Sequence, residues 1–184
     1  MSQSHILFLI LTVLLSLQNV QAADRVQYVE NTGDVLVYML PVAALSAALY
    51  KKDAEGTLQY GASLTTSLAT TFALKYTIDA ERPNGENSRS FPSGHSSTAF
   101  VSATYLQMRY GYAYGVPAYA LATFVAWSRV YSDHHYTRDV IAGSAIGIIS
   151  AYIFTTAYED TITVSPIADN GIYGISLNAR FTTY

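Results

Sequence analysis

Long uncharged stretches alternate with short charged segments along most of the chain. Six stretches contain no Asp, Glu, Lys or Arg: residues 1–23, 35–50, 56–74, 90–108, 110–128 and 140–158. The last five are rich in Ala, Leu, Thr and Tyr and contain few helix breakers, so each is predicted to form a helix. We therefore expect an all-α bundle of about five core helices.

The lengths of these stretches suit a membrane but do not require one. Four are 19 residues long, close to the number of helical residues that crosses the hydrocarbon core of a bilayer. Stretches 35–50 and 140–158 are the best candidate spans, whereas 56–74 is rich in Ser and Thr and would need hydrogen bonds to neighbouring helices. A compact soluble helical domain is the alternative.

Two prolines and the N-terminal segment allow more specific predictions. Pro41 predicts a kink in the first helix, and Pro117 predicts the N-terminal turn of the fourth. Residues 1–22 have an apolar core and small residues near a possible cleavage site after Ala22, which indicates an export signal. Because no Lys or Arg precedes that core, an uncleaved N-terminal anchor is the alternative.

The pattern of apolar and polar residues changes in the last part of the chain. Residues 161–164 and 175–181 alternate between apolar and polar side chains, and Asp169-Asn170-Gly171 between them is a turn signal. A short C-terminal β-hairpin is therefore predicted. The expected organisation is a signal or anchor at 1–22, a helical domain at 23–160 and a hairpin tail at 161–184.

Composition narrows the possible functions. Of 184 residues, 51% are apolar and only 12% are charged, about half the usual charged share, which indicates extensive burial or contact with lipid. The absence of Cys excludes disulfides and a thiolate nucleophile. A net charge of −3 without any run of Lys or Arg argues against a nucleic-acid partner.

Most of the chemically useful side chains lie in two connecting segments, 75–89 and 129–139. If consecutive helices run up and down, both segments emerge at the same end of the bundle, next to the start of the helix after Phe91. Three of the four His and three cations can then converge: Lys75, Arg82, His95, Arg129, His134 and His135.

Such a cluster suits a phosphate group. Two Arg and a Lys directed inward from different segments fit an anion with several oxygens. Ser93 and Gly94 stand just before a helix start, where free backbone N–H groups also favour an anion. Asp139, four residues after His135, can hold one ring nitrogen and leave the other free as a nucleophile.

Three motifs in this region resemble the signature of the type 2 phosphatidic acid phosphatases (PAP2). They are Lys75 with Arg82-Pro83, then Pro92-Ser93-Gly94-His95, then Ser128-Arg129 with His135 and Asp139. Each motif is weak or moderate by itself, but all three are complete and in order. The resemblance covers residues 75–139 and implies the helical bundle of the PAP2 and vanadium-haloperoxidase superfamily.

The resemblance also implies a role for each motif residue. Lys75, Arg82 and Arg129 would hold the phosphoryl oxygens, with further donors from Ser93 and Gly94. His135 would attack phosphorus, Asp139 would orient it, and His95 would protonate the leaving oxygen. The family needs no metal or other cofactor, so none is expected here.

The remaining charges near the site have less specific interpretations. His134 is expected to line the substrate entrance, and Asp79, Glu81, Glu86 and Asp133 are expected to be solvated loop charges. Arg89 and Arg138 fit substrate recruitment and a plain surface role equally well.

The cations at the other end of the bundle predict the orientation of the protein in a membrane. Lys51, Lys52 and Arg109 lie at the end away from the site, as expected if that end is cytoplasmic, and Tyr residues cluster at both ends. The site would then face the periplasm, in an inner-membrane protein or in a soluble exported one.

The leading hypothesis is a phosphatase acting on a lipid or prenyl phosphate or diphosphate on the periplasmic side, through a phosphohistidine. The alternatives are a soluble periplasmic acid phosphatase for small phosphoesters and a non-catalytic bundle that binds phospholipid. A vanadate-dependent haloperoxidase shares the motifs, but such chains are generally much longer. The sequence leaves the exact substrate and the oligomeric state open.

Overall fold

Within the part of the chain that the structure describes, five helices form a bundle, as predicted. The computed structural model describes residues 22–158, 162–169 and 172–179. The helices are α1 (Ala22–Tyr50), α2 (Ala54–Thr77), α3 (Gly94–Tyr110), α4 (Tyr112–Tyr131) and α5 (Thr137–Phe154). The predicted export signal lies outside the described residues except for Ala22.

Two predicted helix details are wrong. The first helix was expected to begin at residue 35, but α1 begins at Ala22, because charged residues such as Glu30 are good helix formers and do not end a helix. Pro117 does not lie in the first turn of its helix: α4 begins at Tyr112, five residues earlier. Pro41 lies inside α1, where a kink was predicted.

Two strands follow the helices. Strands β1 (Ile162–Asp169) and β2 (Ile172–Ala179) pair antiparallel, with Ile162 opposite Ala179 and Asp169 opposite Ile172. They occupy the segment in which the hairpin tail was predicted, and residues 170–171 of the predicted turn lie outside the described residues.

Helix α3 is the centre of the bundle and packs against the other four helices. Its buried side chains include Val101 and Tyr105, both fully inaccessible. Two glycines let α5 approach α3 closely: a Cβ on Gly143 would lie 2.3 Å from the Ser93 carbonyl oxygen, and one on Gly147 would lie 2.4 Å from that of Ser97. This small-residue contact fixes the start of α5 beside the start of α3.

One face of α2 carries polar side chains into the interior of the bundle. Ser63, Ser67 and Thr71 are buried one turn apart on the same face. Thr71 Oγ1 donates to Ser97 Oγ over 3.0 Å, and Tyr60 shares a 2.8 Å hydrogen bond with Ser102. These bonds to α3 are the interhelical contacts that the sequence required.

An ion pair closes the end of the bundle away from the motifs. The guanidinium of Arg109 is 5% exposed and donates to both carboxylate oxygens of Asp53, each over 2.7 Å. Asp53 also caps α2 by accepting from the Gly56 N–H. Arg109 is therefore a buried structural cation, and only Lys51 and Lys52 support the orientation that was inferred from three cations at this end.

Among the residues that the structure describes, two helices are long and apolar enough to cross a membrane. They are α1 from Asp24 to Tyr50 and α5. Large apolar side chains project from both into solvent, among them Val35, Met39, Leu49, Ile141 and Ile153. Exposed apolar surface of this kind marks contact with a membrane or with another protein.

Candidate active site

The two loops that carry the motifs meet at one end of the bundle. The segment between α2 and α3 folds back on itself, with the Ala80 N–H bonded to the Ser88 carbonyl and the Ser90 N–H bonded to the Ala80 carbonyl. The Asn84 N–H donates to the carbonyl of Asp133 in the segment between α4 and α5, over 3.1 Å. The expected convergence of these segments is thus present.

The turn after α4 places His135 inside the protein. Asp133 adopts a left-handed backbone conformation, with φ of 55°, which Asp tolerates better than most residues. The chain then folds back so that the N–H groups of His134 and His135 both donate to the Arg129 carbonyl. The result is a His135 side chain that is 4% exposed and lies beside the end of α4.

A serine separates His135 from Asp139, which the sequence interpretation did not foresee. His135 Nδ1 and Asp139 Oδ2 are 3.8 Å apart, too far for the direct hydrogen bond that was predicted. Ser90 Oγ lies 3.3 Å from His135 Nδ1 and donates to Asp139 Oδ2. A chain of polar contacts therefore runs from the imidazole through the hydroxyl to the carboxylate.

Burial and a hydrogen bond from the backbone hold the Asp139 side chain in this position. It is fully buried, and its Oδ2 also accepts from the Tyr136 N–H, which stabilises the start of α5. Its Oδ1 is buried without a hydrogen-bond partner among the described residues, and the nearest cation is Arg138 Nε at 3.5 Å. An unpaired carboxylate oxygen can compensate positive charge that develops on a nearby ring.

The electrostatic environment keeps the His135 ring neutral. Burial, followed by the nearby charges of Lys75, Arg82 and His95, lowers the pKa of His135 to about 3. A neutral imidazole retains a lone pair and can act as a nucleophile. The cations that would attract an anionic substrate thus also keep the ring in its reactive form.

The three predicted phosphate-binding cations reach the site from different elements. Lys75, in the last turn of α2, donates through Nζ to the Arg89 carbonyl over 2.8 Å and lies alongside Gly94. Arg82 lies between Asn87 and His134, and the buried Arg129 comes from the last turn of α4. Arg82 and Arg129 both line the central cavity.

Ser93 has fewer free hydrogen-bond donors for a substrate than the motif suggested. Its backbone N–H donates to the Asp139 carbonyl over 2.9 Å, and its hydroxyl oxygen accepts from the N–H and hydroxyl of Ser96 as the N-cap of α3. Ser93 is also fully buried, so its backbone N–H is not free to bind an anion as predicted. Gly94 begins α3 and is partly accessible.

Helix α1 contributes two carboxylates that the sequence interpretation missed. Asp34 Oδ1 lies 2.9 Å from His95 Nε2 and accepts from Arg129 Nη1 over 2.8 Å. Glu30 Oε1 lies 2.7 Å from His134 Nε2. Their spacing of four residues on one helix face, immediately before an uncharged stretch, was the available signal.

A glycine permits this contact between α1 and the site. Gly33 is buried against the end of α4, where a Cβ would lie 2.1 Å from Ser128 Oγ and 2.9 Å from Arg129 Nη2. Arg129 Nη2 donates to the carbonyl of Glu30. A side chain larger than hydrogen at residue 33 therefore requires Ser128 and Arg129, or α1 itself, to shift.

These groups enclose a cavity of about 200 Å³, lined by Glu30, Asp34, Arg82, Glu86, His95, Arg129, His134 and His135. Its volume suits a phosphoryl group and a few further atoms. His134 lines it as expected. Glu86 is exposed, as predicted, but it also lines the cavity and lies 3.6 Å from both Arg82 Nη1 and His134 Nδ1. Asp79, Glu81 and Asp133 are exposed, as predicted.

Within the described part of the chain, no group of three His, Asp or Glu side chains is arranged to hold a metal ion.

Comparison with known proteins identifies similar sequences. The model of the PAP2 superfamily matches residues 56–162, which include all three motifs. A lipid A 4′-phosphatase from Helicobacter pylori is 30% identical over 141 residues, which cover 71% of each protein. A lipid A 1-phosphatase from Porphyromonas gingivalis is 40% identical over 78 residues, which cover 41% of this chain but only 18% of that enzyme.

Two crystal structures share the fold. They are Aquifex aeolicus LpxE, with a TM-score of 0.52 over 65% of this chain and 83% of that one, and a transmembrane PAP2-type phosphatidylglycerolphosphate phosphatase from Bacillus subtilis, with a TM-score of 0.58 over 77% and 80%. Both are 23% identical to this chain. The family match excludes α1 and ends where β1 begins, so neither the α1 carboxylates nor the hairpin is supported by it.

Proposed function

The chain belongs to the PAP2 superfamily, and we propose that it is a phosphatase that hydrolyses a phosphorylated lipid. The observation that carries this proposal is the arrangement around the cavity. A buried neutral imidazole, a second histidine and two arginines converge on a space the size of a phosphoryl group. This is the set of groups needed for nucleophilic displacement at phosphorus.

The first step transfers the phosphoryl group to His135. Arg82 and Arg129, with Lys75 behind them, hold the phosphoryl oxygens and compensate their charge. With Nδ1 held by Ser90, Nε2 is the nitrogen available to attack phosphorus. A P–N bond forms, the P–O bond to the lipid breaks, and His95 donates a proton to the departing oxygen.

The second step regenerates the enzyme. His95, now neutral, accepts a proton from a water molecule whose oxygen attacks phosphorus. The P–N bond breaks, inorganic phosphate leaves, and the electron pair returns to the His135 ring. Positive charge on the phosphorylated ring is compensated by Asp139, through the hydroxyl of Ser90.

The substrate and the membrane follow from the relatives and the surface. Relatives of this chain are named as lipid A phosphatases, which supports a phosphorylated lipid as the substrate class. The apolar faces of α1 and α5 support insertion in a membrane. We place the site at the periplasmic face, since Lys51 and Lys52 lie at the opposite end.

Replacement of the nucleophile tests this function. We expect His135→Ala to lower phosphate release from lipid A or phosphatidate by at least about a thousandfold, because no other group in the site replaces the nucleophile. The matched control is His134→Ala, which removes the adjacent histidine and should retain turnover within about tenfold. Near-normal turnover by a folded His135→Ala protein would refute the proposal.

A further inference from the structure

Three pairs of oppositely charged or chargeable groups line the cavity, and the mechanism above gives their carboxylates no role. The pairs are Arg129 with Asp34 at 2.8 Å, Arg82 with Glu86 at 3.6 Å, and His134 with Glu30 at 2.7 Å. All six side chains belong to the lining. Both arginines and one histidine of the cavity thus already have an acidic partner.

The lining therefore has no surplus of positive charge. In the part of the chain that the structure describes, its permanently charged side chains are three carboxylates and two guanidinium groups. A proton on His95, which the first step requires, makes the two signs equal. Lys75, whose Nζ donates to the Arg89 carbonyl, adds one positive charge behind the cavity. A phosphoryl dianion already exceeds this supply, and further negative charge would remain uncompensated in a partly buried site.

The mechanism places the rest of the substrate beside these carboxylates. His95 donates its proton to the leaving oxygen, so the atoms that follow this oxygen begin next to His95. His95 Nε2 lies 2.9 Å from Asp34 Oδ1, and Glu30 lines the cavity one helical turn before Asp34 on α1. A second phosphoryl group that shares the leaving oxygen would therefore lie near the carboxylates of α1.

Glu86 adds a third carboxylate from the loop between α2 and α3. Its Oε2 lies 3.6 Å from His134 Nδ1, while His134 Nε2 contacts Glu30, so the His134 ring lies between the two carboxylates. The Glu86 side chain is 57% exposed, against 42% for Asp34 and 25% for Glu30. Glu86 is thus the lining carboxylate most accessible to a substrate that arrives from outside.

We propose that these carboxylates make the site selective for phosphate monoesters over diphosphates, with Glu30 and Glu86 as specificity-determining residues. The inference rests on the proposed function and names the class of phosphorylated lipid that the site hydrolyses. The phosphoryl group of a monoester uses the charge of both arginines. The inner phosphoryl group of a diphosphate adds about one more negative charge, which the carboxylates repel.

The test compares phosphatidate with diacylglycerol diphosphate, which is the same lipid with one more phosphoryl group. Initial rates of phosphate release are measured in phosphatidylcholine vesicles at low ionic strength. We expect the unmodified protein to favour phosphatidate at least about tenfold in kcat/KM. Glu86→Gln and Glu30→Gln should each lower this preference about threefold, and the double variant about tenfold, because each removes one negative charge near the inner phosphoryl group.

A carboxylate of the same loop and the salt concentration provide the controls. Glu81→Gln removes an exposed charge that does not line the cavity and should leave the preference unchanged. In about 1 M NaCl, the preference of the unmodified protein should fall toward that of the double variant, because charges that reach solvent are then screened within about 3 Å. A merely structural effect of the substitutions would not follow the salt concentration.

The outcomes separate this inference from the proposed function. The inference is overturned if the unmodified protein hydrolyses both lipids equally well, or if the double variant keeps the unmodified preference. If the double variant does not fold, Glu86→Gln on its exposed loop decides. Hydrolysis of neither lipid by the unmodified protein would contradict the proposed function. The selectivity is then decided by binding, since the His135→Ala protein should still bind phosphatidate more tightly than the diphosphate.

Discussion

At the scale of single residues, the geometry of the nucleophile depends on a serine outside the three motifs. Ser90 is fully buried and contacts both His135 Nδ1 and Asp139 Oδ2, which are too far apart to bond directly. The hydroxyl accepts from one partner and donates to the other, so it fixes the ring tautomer that leaves Nε2 free.

Removal of this hydroxyl should slow catalysis without preventing substrate binding. We expect Ser90→Ala to lower kcat by about ten- to a hundredfold with little change in KM, since one buried hydrogen bond to a charged group is worth roughly 1.5–3 kcal/mol and Asp139 retains its bond from Tyr136. Steady-state kinetics beside Ser88→Ala, an exposed serine two residues earlier, would measure this. Equal kinetics for the two variants would show that Ser90 does not position His135.

Asp34 is a second positioning residue, and its effect should also appear in kcat. It contacts His95 Nε2 and Arg129 Nη1 through one oxygen atom, so Asp34→Asn should misalign both groups and lower kcat roughly tenfold. Asp24→Asn, an exposed change of the same charge on the same helix, is the control. If Asp34 merely occupied the phosphate position, the variant would instead lower KM at unchanged kcat.

The motif residues were predictable from sequence, but the groups that connect them were not. Lys75, Arg82, His95, Arg129, His135 and Asp139 follow from fixed spacings within about 65 residues of chain. Asp34 is 61 residues from His95 and 95 from Arg129, and no local spacing relates them. Ser90 was inside the predicted region, yet nothing distinguishes one serine among several until the backbone places it between His135 and Asp139.

At the scale of helices, the uncharged stretches located all five elements but not their ends. Charged residues mark the position at which a helix leaves an apolar environment. The helix itself ends where its backbone hydrogen bonds end, and the two positions can differ. Helix α1 shows the difference most clearly, since its charged first half carries Glu30 and Asp34 into the site. Short connections at residues 51–53, 111 and 132–136 favour antiparallel neighbours, whereas 16 residues separate α2 from α3.

The close packing of α1 against α4 depends on Gly33. Replacement of this glycine should therefore disturb the active site. We expect Gly33→Ala to lower both the temperature of unfolding and kcat/KM, the latter about tenfold, because the new methyl group would overlap Ser128 Oγ and push Asp34 away. Gly61→Ala is the control: no heavy atom lies within 4 Å of its Cβ position, and Ala in the helix interior stabilises by about 0.5–1 kcal/mol. An equally stable and active Gly33→Ala protein would contradict this packing.

At the scale of the whole molecule, charge divides the protein by function. At the end away from the site, the buried Asp53–Arg109 pair stabilises the structure, whereas Arg82 and Arg129 line the cavity at the other end. Between the two ends lie the uncharged helices, whose polar groups bond inside the bundle and whose apolar groups face outward on α1 and α5. This division suits a protein that works at the surface of a lipid bilayer.

Membrane insertion has a direct biochemical consequence. The protein should stay with the membrane pellet after an alkaline carbonate wash, because the exposed apolar side chains of α1 and α5 would otherwise face water. Separation of pellet and supernatant followed by immunoblotting measures this. Complete release into the supernatant would favour a soluble periplasmic phosphatase for small phosphoesters.

The most direct measurement of the mechanism is capture of the covalent intermediate. Substrate with a labelled phosphoryl group is mixed with enzyme, the reaction is stopped in alkali, in which phosphohistidine survives, and the labelled residue is located by mass spectrometry. His95→Ala removes the general acid of the first step and the general base of the second, so it should slow both formation and hydrolysis of the intermediate. We predict that the label is on His135 and that it is absent from the His135→Ala protein. Phosphate release without label on His135 at any time during turnover would contradict this account.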